Sequence, residues 1–217
     1  MKIIGLALVL FSAVFCFGQV SYDFKEALPS TEKSSISVSS SDFGIYLSEN
    51  KEIQYEFNEK GISIITTIYS SISKETIRES SKYSIRNGYL FGLVEKDSLP
   101  CFLAEDNRYY FGLKSTEQLI GSTSQNSLKK ISSTSYLINY YENGGFTPSL
   151  LTFSKKEFSI QYFDYETNTT QFSTIVNQTD KQIVGMKYVT LLPTKKEWKE
   201  LDQSKLFGNK ILYSKIK

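Results

Sequence analysis

The chain has 217 residues, with 25 Lys and Arg against 23 Asp and Glu, a net charge of +2, and no histidine. The lack of histidine excludes a Ser-His-Asp or Cys-His hydrolase and a His-ligated zinc site. The small net charge provides no field that would attract nucleic acid. With 40% hydrophobic and 22% charged residues, the composition is that of a folded domain.

The first segment, residues 1–18, has the layout of a secretory signal peptide. A basic start precedes an apolar run that ends near Phe15, and the small residues Cys16 and Gly18 follow. The run is too short for a comfortable membrane span. We therefore expect an extracytoplasmic protein, periplasmic or secreted, whose mature chain has no transmembrane span. Lipidation of Cys16 is an alternative, but Phe15 stands where that processing requires a small residue.

The mature chain begins with a Ser-rich N-terminal segment, residues 19–41, in which seven of the twelve positions from 30 to 41 are serine. Such composition is typical of a tether. We expect ordered structure to begin near Asp42 and residues 42–217 to form a single all-β domain. Cys101 alone remains after cleavage, so no internal disulfide can form. Because it lies in an apolar run, it is predicted to be buried and inert.

Residues 82–114 carry the clearest strand pattern, and Asn87-Gly88 is a strong hairpin signal. They predict a four-stranded meander that contains an internal echo, YLFGL at 89–93 and YYFGL at 109–113. The echoed segments fall on alternate strands and run the same way. We therefore expect Tyr89, Phe91 and Leu93 to face the same core as Tyr109, Phe111 and Leu113.

Further strands are predicted after a polar stretch at 115–130, which itself contains a possible short helix at 116–120. They include 157–165 and 171–176. Thr194 and Glu197 form a capping box, which predicts a helix. The expected fold is all-β, with about ten or eleven antiparallel strands in a sandwich or a curved barrel-like sheet and a short C-terminal helix near 194–207.

Two pairs of residues are candidate site residues. Asp164 and Glu166 are two apart on a predicted strand, hence on one face, and paired carboxylates can hydrolyse glycosidic bonds. Their position at the end of the strand is explained more simply by the boundary with water. Tyr136 and Tyr140 also share a strand face, and tyrosine can ligate haem iron, but packing across a sheet explains them better.

No metal site and no cofactor are predicted, because no segment has metal-ligand spacing or a phosphate-binding glycine loop. Two glycosylation sequons begin at Asn168 and Asn177. They matter only in a host that glycosylates.

These observations favour a non-enzymatic, aromatic-rich β module that binds a protein or a cell-envelope component. A first alternative is a carrier for an apolar ligand, with a cavity inside a curved sheet closed by the helix of Trp198. A second is a carboxylate-dependent carbohydrate-active hydrolase, which needs two carboxyl groups facing each other across a cleft.

Overall fold

The computed structural model describes residues 20–94, 97–183 and 186–216. Within those ranges it contains sixteen strands. In chain order they are β1 (Val20–Phe24), β2 (Ser34–Ser35), β3 (Gly44–Ser48), β4 (Ile53–Asn58), β5 (Gly61–Ser73), β6 (Ser84–Arg86), β7 (Tyr89–Val94), β8 (Asp97–Leu103), β9 (Arg108–Ile120), β10 (Ser127–Lys130), β11 (Ser135–Glu142), β12 (Gly145–Phe153), β13 (Glu157–Tyr162), β14 (Gln178–Ile183), β15 (Met186–Leu191) and β16 (Ile211–Lys215). The predicted signal peptide lies outside the described residues.

Three short α-helices accompany the strands: α1 (Lys74–Glu79), α2 (Thr169–Phe172) and α3 (Lys195–Glu200). A single 3-10 turn spans Ser40–Asp42. In the described ranges, no helix has the length and apolarity that crossing a membrane requires.

The predicted all-β class is confirmed, but the predicted count of about ten or eleven strands is wrong. The additional strands include β1, β2 and β10. Strand β1, VSYDF, alternates apolar and polar residues and was overlooked, whereas β2, SS, and β10, SLKK, come from mostly polar segments. A neighbouring strand can hold such polar sequence in a ladder because the hydrogen bonds join main-chain groups. Ordered structure therefore begins before Asp42, contrary to expectation.

The strands join in the order β14-β15-β1-β12-β13-β16-β3-β4-β5-β9-β8-β7-β6, and β11, β10 and β2 branch from β12. Of these ladders, β1 with β15 is parallel and the others are antiparallel. Leu128 on β10 and Leu119 on β9 stand far apart in this order, yet both belong to one core. The sheet is therefore strongly curved, and we call this curved part the body.

Aromatic side chains fill the interior of the body. The largest of them are fully or almost fully buried: Tyr46, Tyr55, Tyr136, Tyr213, Phe57, Phe153 and Phe158. The ring centroids of Phe158 and Tyr213 lie 4.8 Å apart, and those of Phe57 and Phe153 lie 5.0 Å apart. Such distances are those of rings in direct contact. The body is thus held by a close-packed aromatic core.

A second core lies on the opposite face of β11 and β12. Leu137 belongs to it, whereas its neighbours Tyr136 and Ile138 face the aromatic core, as strand alternation requires. The other fully or almost fully buried members come from β1, β15, α2, α3 and the loops beside them: Phe24, Leu28, Phe163, Phe172, Ile175, Val189, Leu191, Leu201 and Leu206. The central strands are consequently covered on both faces.

Two secondary-structure predictions near these cores, one strand and one helix, need correction. Residues 171–176, predicted as a strand, form the end of α2 and a turn, because Phe172 and Ile175 are buried at a spacing of one helical turn while Val176 is exposed. Residues 116–120, predicted as a helix, belong to β9, which pairs with β5. The long ladder overrides the local preference.

The predicted C-terminal helix is real but short. Thr194 and Glu197 form the predicted capping box, and α3 ends at Glu200, with Leu201 as its C-cap, rather than near residue 207. Its side chains Trp198 and Leu201 pack against the second core.

An arm extends from the body where β5 and β9 continue as a ladder of thirteen-residue strands. Strands β8, β7 and β6 add to it in order, which confirms the predicted meander of 82–114. Both turn residues of the predicted hairpin, Asn87 and Gly88, have positive φ of 51° and 78°, as the tightest hairpins demand. We call residues 67–114 the arm.

Candidate functional site

The carboxylates of Asp164 and Glu166 do not share a strand face, so that prediction is wrong. Strand β13 ends at Tyr162, and the chain bends beyond an isolated bridge between Phe163 and Phe207. A carboxylate oxygen of Asp164 accepts a hydrogen bond from the main-chain N–H of Thr167 at 3.2 Å. Glu166 is exposed in the same bend. The geometry gives Asp164 the role of a turn residue.

Tyr136 and Tyr140 lie on one face of β11, as predicted, but at different depths of the body. The hydroxyl of Tyr136 is held by the main-chain N–H and the hydroxyl of Ser39, at 2.9 and 2.8 Å. Burial raises the pKa of the Tyr140 phenol, and the nearby Tyr162, Glu117 and Tyr213 raise it further. A haem ligand must be a phenolate, which this environment disfavours.

Tyr140 belongs to a group of tyrosines at one end of the aromatic core. The rings of Tyr55 and Tyr213 are in contact, with centroids 5.0 Å apart, and Tyr162 lies near both. Burial raises the pKa of Tyr213 to about 12 and also raises the pKa of Tyr55. Tyr55 and Tyr213 are therefore neutral phenols within the aromatic core.

Cys101 is half-buried on β8, where its neighbour across the ladder is Phe111. Desolvation raises the pKa of its thiol. The thiolate that nucleophilic chemistry needs is thus disfavoured. Within the described ranges, no group of three or more His, Cys, Asp or Glu side chains is placed to hold a metal ion.

The asparagines of the two glycosylation sequons differ in their exposure to solvent. Asn168 is buried, and its amide nitrogen donates to the main-chain oxygens of Asp164 and Lys205 at 2.7 and 2.8 Å. That nitrogen is inaccessible in the folded chain. Asn177 is exposed, so its side chain can receive a glycan.

The two faces of the arm differ from what the sequence echo predicts. Leu90 pairs with Leu99, and Cys101 pairs with Phe111, so Leu90 shares a face with Phe111. We call this the inner face; Leu90 and Phe111 are buried there. Tyr89 and Phe91 point to the opposite, outer face, so the prediction that both echoed rows feed one core is wrong. A shift of one residue in register exchanges the two faces of a strand.

The outer face therefore carries aromatic side chains that are not packed into either hydrophobic core. They are Tyr69 on β5, Tyr89 and Phe91 on β7, Phe102 on β8 and Tyr110 on β9. We call these five residues the aromatic strip.

The aromatic strip is exposed to solvent although its strands are fully paired. Phe102 is 66% exposed and Tyr69 is 59% exposed. Phe102 stacks on Tyr110, with centroids 5.7 Å apart. The guanidinium of Arg86 lies 5.9 Å from the ring of Phe91. Sheets that face water on one side normally present polar residues there, so this face is unusual.

A shallow cleft of about 360 Å³ adjoins the strip where the arm meets the body. Tyr69, Pro100 and Gly112 line part of it. A Cβ at Gly112 would lie 2.9 Å from the methyl of Thr67 and 3.6 Å from the ring of Tyr69. The glycine thus keeps the cleft open beside the tyrosine ring.

Two lysines line the same cleft, Lys51 and Lys114. Neither makes an ion pair within the described ranges. Both are exposed to solvent. Sequence reasoning missed this surface, although the runs at 89–93 and 109–113, apolar at both odd and even positions, were a signal for strands with two apolar faces.

Comparison with protein-family models, with curated proteins and with solved structures found no match to this chain.

Proposed function

We propose that this chain is a non-enzymatic extracytoplasmic β module that binds a protein or envelope component through the outer face of the arm. The observation that carries the proposal is the aromatic strip, five rings on one paired sheet face with no core above them. Contiguous exposed apolar surface is characteristic of interaction sites. Tyrosine suits such a site because its ring is apolar and its hydroxyl remains hydrated.

The arm is built to hold this surface rigid. Its inner face has its own buried residues, Leu90 and Phe111, so the outer rings contribute little to folding. Arg108 braces β9 against β5 through a hydrogen bond from its Nε to the hydroxyl of Ser71, at 2.8 Å. The hydroxyl of Tyr110 donates to Asp106 at 2.7 Å, which fixes that ring. A binding face carried on paired strands is pre-organised.

The carrier and hydrolase alternatives have no comparable observation in their favour. Aromatic rings in contact occupy the interior of the body, where a carrier would hold its ligand. Asp164 caps a turn, which leaves the hydrolase without its predicted pair on a strand face.

The test is binding to envelope material from the producing cells. Tyr69, Tyr89 and Phe102 are replaced together by serine, and the amount of protein that sediments with washed envelopes is compared with wild type. The matched control replaces Val176, Ile211 and Leu212, which are also exposed apolar residues but lie outside the arm.

We expect the arm variant to lose most envelope binding and the control variant to retain it. Circular dichroism and urea titration establish that both variants are folded. Equal sedimentation of the arm variant and wild type would contradict the proposal.

A further inference from the structure

We propose that the outer face of the arm binds an acidic polysaccharide, a glycan chain that carries carboxylate or sulfate groups. This inference rests on the proposed function and names the chemistry of its partner. Its basis is the combination of the aromatic strip with the adjoining cleft and the lysines of that cleft.

The shape of the surface fits a chain of sugar rings. Pro100 pairs with Tyr89 across β8 and β7, and Gly112 pairs with Tyr69 across β9 and β5. The two tyrosines thus flank a low floor made by glycine and proline, with Phe102 stacked on Tyr110 beside it. A pyranose ring has an apolar face of C–H groups that packs on such exposed rings.

The charges of the surface favour an anionic glycan. Lys51 and Lys114 in the cleft have no carboxylate partner in the described part of the chain. The carboxylate of Glu52, which follows Lys51 in the chain, accepts a hydrogen bond from the Asn50 amide at 2.7 Å and pairs with neither lysine. Unpaired ammonium groups beside rings complement an anion presented by the stacked ligand.

A peptide or a nucleic acid fits this surface less well. Extended peptides add to a free strand edge, whereas β5, β9, β8 and β7 each have neighbours on both sides. Single-stranded nucleic acid needs a basic groove that follows one phosphate per base, and the chain has a net charge of only +2.

The experiment titrates the full mature chain with four soluble polymers, polygalacturonate, alginate, hyaluronate and chondroitin sulfate, by isothermal calorimetry at physiological salt. Fully methyl-esterified polygalacturonate tests the charge, because it keeps the backbone and loses the carboxylates. Polyglutamate and oligo-dT represent an acidic peptide and a nucleic acid.

We expect at least one acidic polysaccharide to bind, and Lys51→Gln with Lys114→Gln to weaken that binding by about tenfold. Phe102→Ala and Tyr69→Ala should each weaken it by about the same factor without changing any charge. The matched control is Lys155→Gln with Lys156→Gln, at an exposed turn between β12 and β13, and it should bind as wild type does.

Three results would overturn the inference: no binding to any of the four polymers, binding that the ring variants leave unchanged, or equal binding of polyglutamate or oligo-dT. The envelope assay separates this failure from failure of the proposed function. If the serine variant of the arm still loses envelope binding, the surface binds a partner of another class. If it does not, the proposed function fails as well.

Discussion

At the scale of single residues, the carboxylate of Asp23 occupies the space above Gly145. A Cβ built on Gly145 would lie 2.3 Å from the Cγ of Asp23. The Oδ1 atom of Asp23 is buried and has no hydrogen-bond partner in the described part of the chain. The hairpin between β11 and β12 thus depends on a glycine that accommodates a poorly satisfied acid.

The first prediction is a coupling between these two residues. Gly145→Ala should lower the free energy of unfolding by about 1–3 kcal/mol, because the added methyl overpacks the site. In the Asp23→Ala background the same change should cost much less, since the carboxylate is gone. Urea denaturation of the four proteins in this double-mutant cycle measures the coupling. Additive losses would contradict the steric account.

The second prediction compares the asparagines of the two sequons. Asn168→Ala should cost about 1–3 kcal/mol, because it leaves buried main-chain acceptors without a donor. Asn177→Ala should leave stability unchanged, since that side chain is exposed. Thermal unfolding of both variants decides the point, and equal effects would show that the Asn168 network is unimportant.

At the scale of elements, the register of the arm decides which rings are buried. The sequence echo correctly indicates alternate strands, but not the face each row takes. Strand β7 has a register irregularity between Phe91 and Val94 where it pairs with β8. At Gly92, with φ of 90°, a Cβ would lie 2.0 Å from the carbonyl oxygen of Lys82. The alternation of apolar and polar residues could not predict such a close approach of two backbone segments.

The third prediction tests this register. Phe111→Ala should lower the free energy of unfolding by about 3–5 kcal/mol, because the ring is buried on the inner face. Phe91→Ala, at the equivalent position of the echo, should lower the free energy of unfolding by less than about 1 kcal/mol. Chemical denaturation monitors both. Similar losses would mean that both rows face the core, as the sequence indicates.

The capping box of α3 gives a fourth prediction, on pH dependence. The main-chain N–H of Val176 and the hydroxyl and N–H of Thr194 hold the pKa of Glu197 below its usual range. Its contribution to stability is therefore present above the usual carboxyl pKa and is lost as the pH falls through the lowered value. The difference between wild type and Glu197→Gln should vanish on acidification.

Urea midpoints from pH 7 down to pH 2 measure that difference. Glu166→Gln is the matched control, because Glu166 is exposed in a bend and makes no hydrogen bond in the described part of the chain. A pH-independent difference for Glu197→Gln would contradict the assignment.

At the scale of the whole molecule, the sequence predicted the all-β class, the meander of the arm and the cap at Thr194. These depend on local pattern and turn chemistry. It did not predict the second core, because residues such as Phe172 and Leu28 are brought together only by long-range pairing of β1 with β12 and β15. The candidate site was missed for the same reason, because the pairing register of the strands decides which side chains point to the outer face of the arm.

The body and the arm differ in where they place their aromatic side chains. The body buries its aromatic side chains in contact with one another, whereas the arm presents its outer rings to solvent. A polypeptide that exposes rings beside a well-packed core can retain them for binding at little cost to stability.

The most direct measurement of this account is photo-crosslinking in the producing cells. Phe102 is replaced by a benzophenone-bearing phenylalanine, and the same residue is placed at Val176, which is 82% exposed outside the arm. The account predicts a crosslinked adduct of defined mass from position 102 and none from position 176. Irradiation that yields no adduct at 102, or the same adducts from both positions, would contradict the assignment of the aromatic strip as the binding surface.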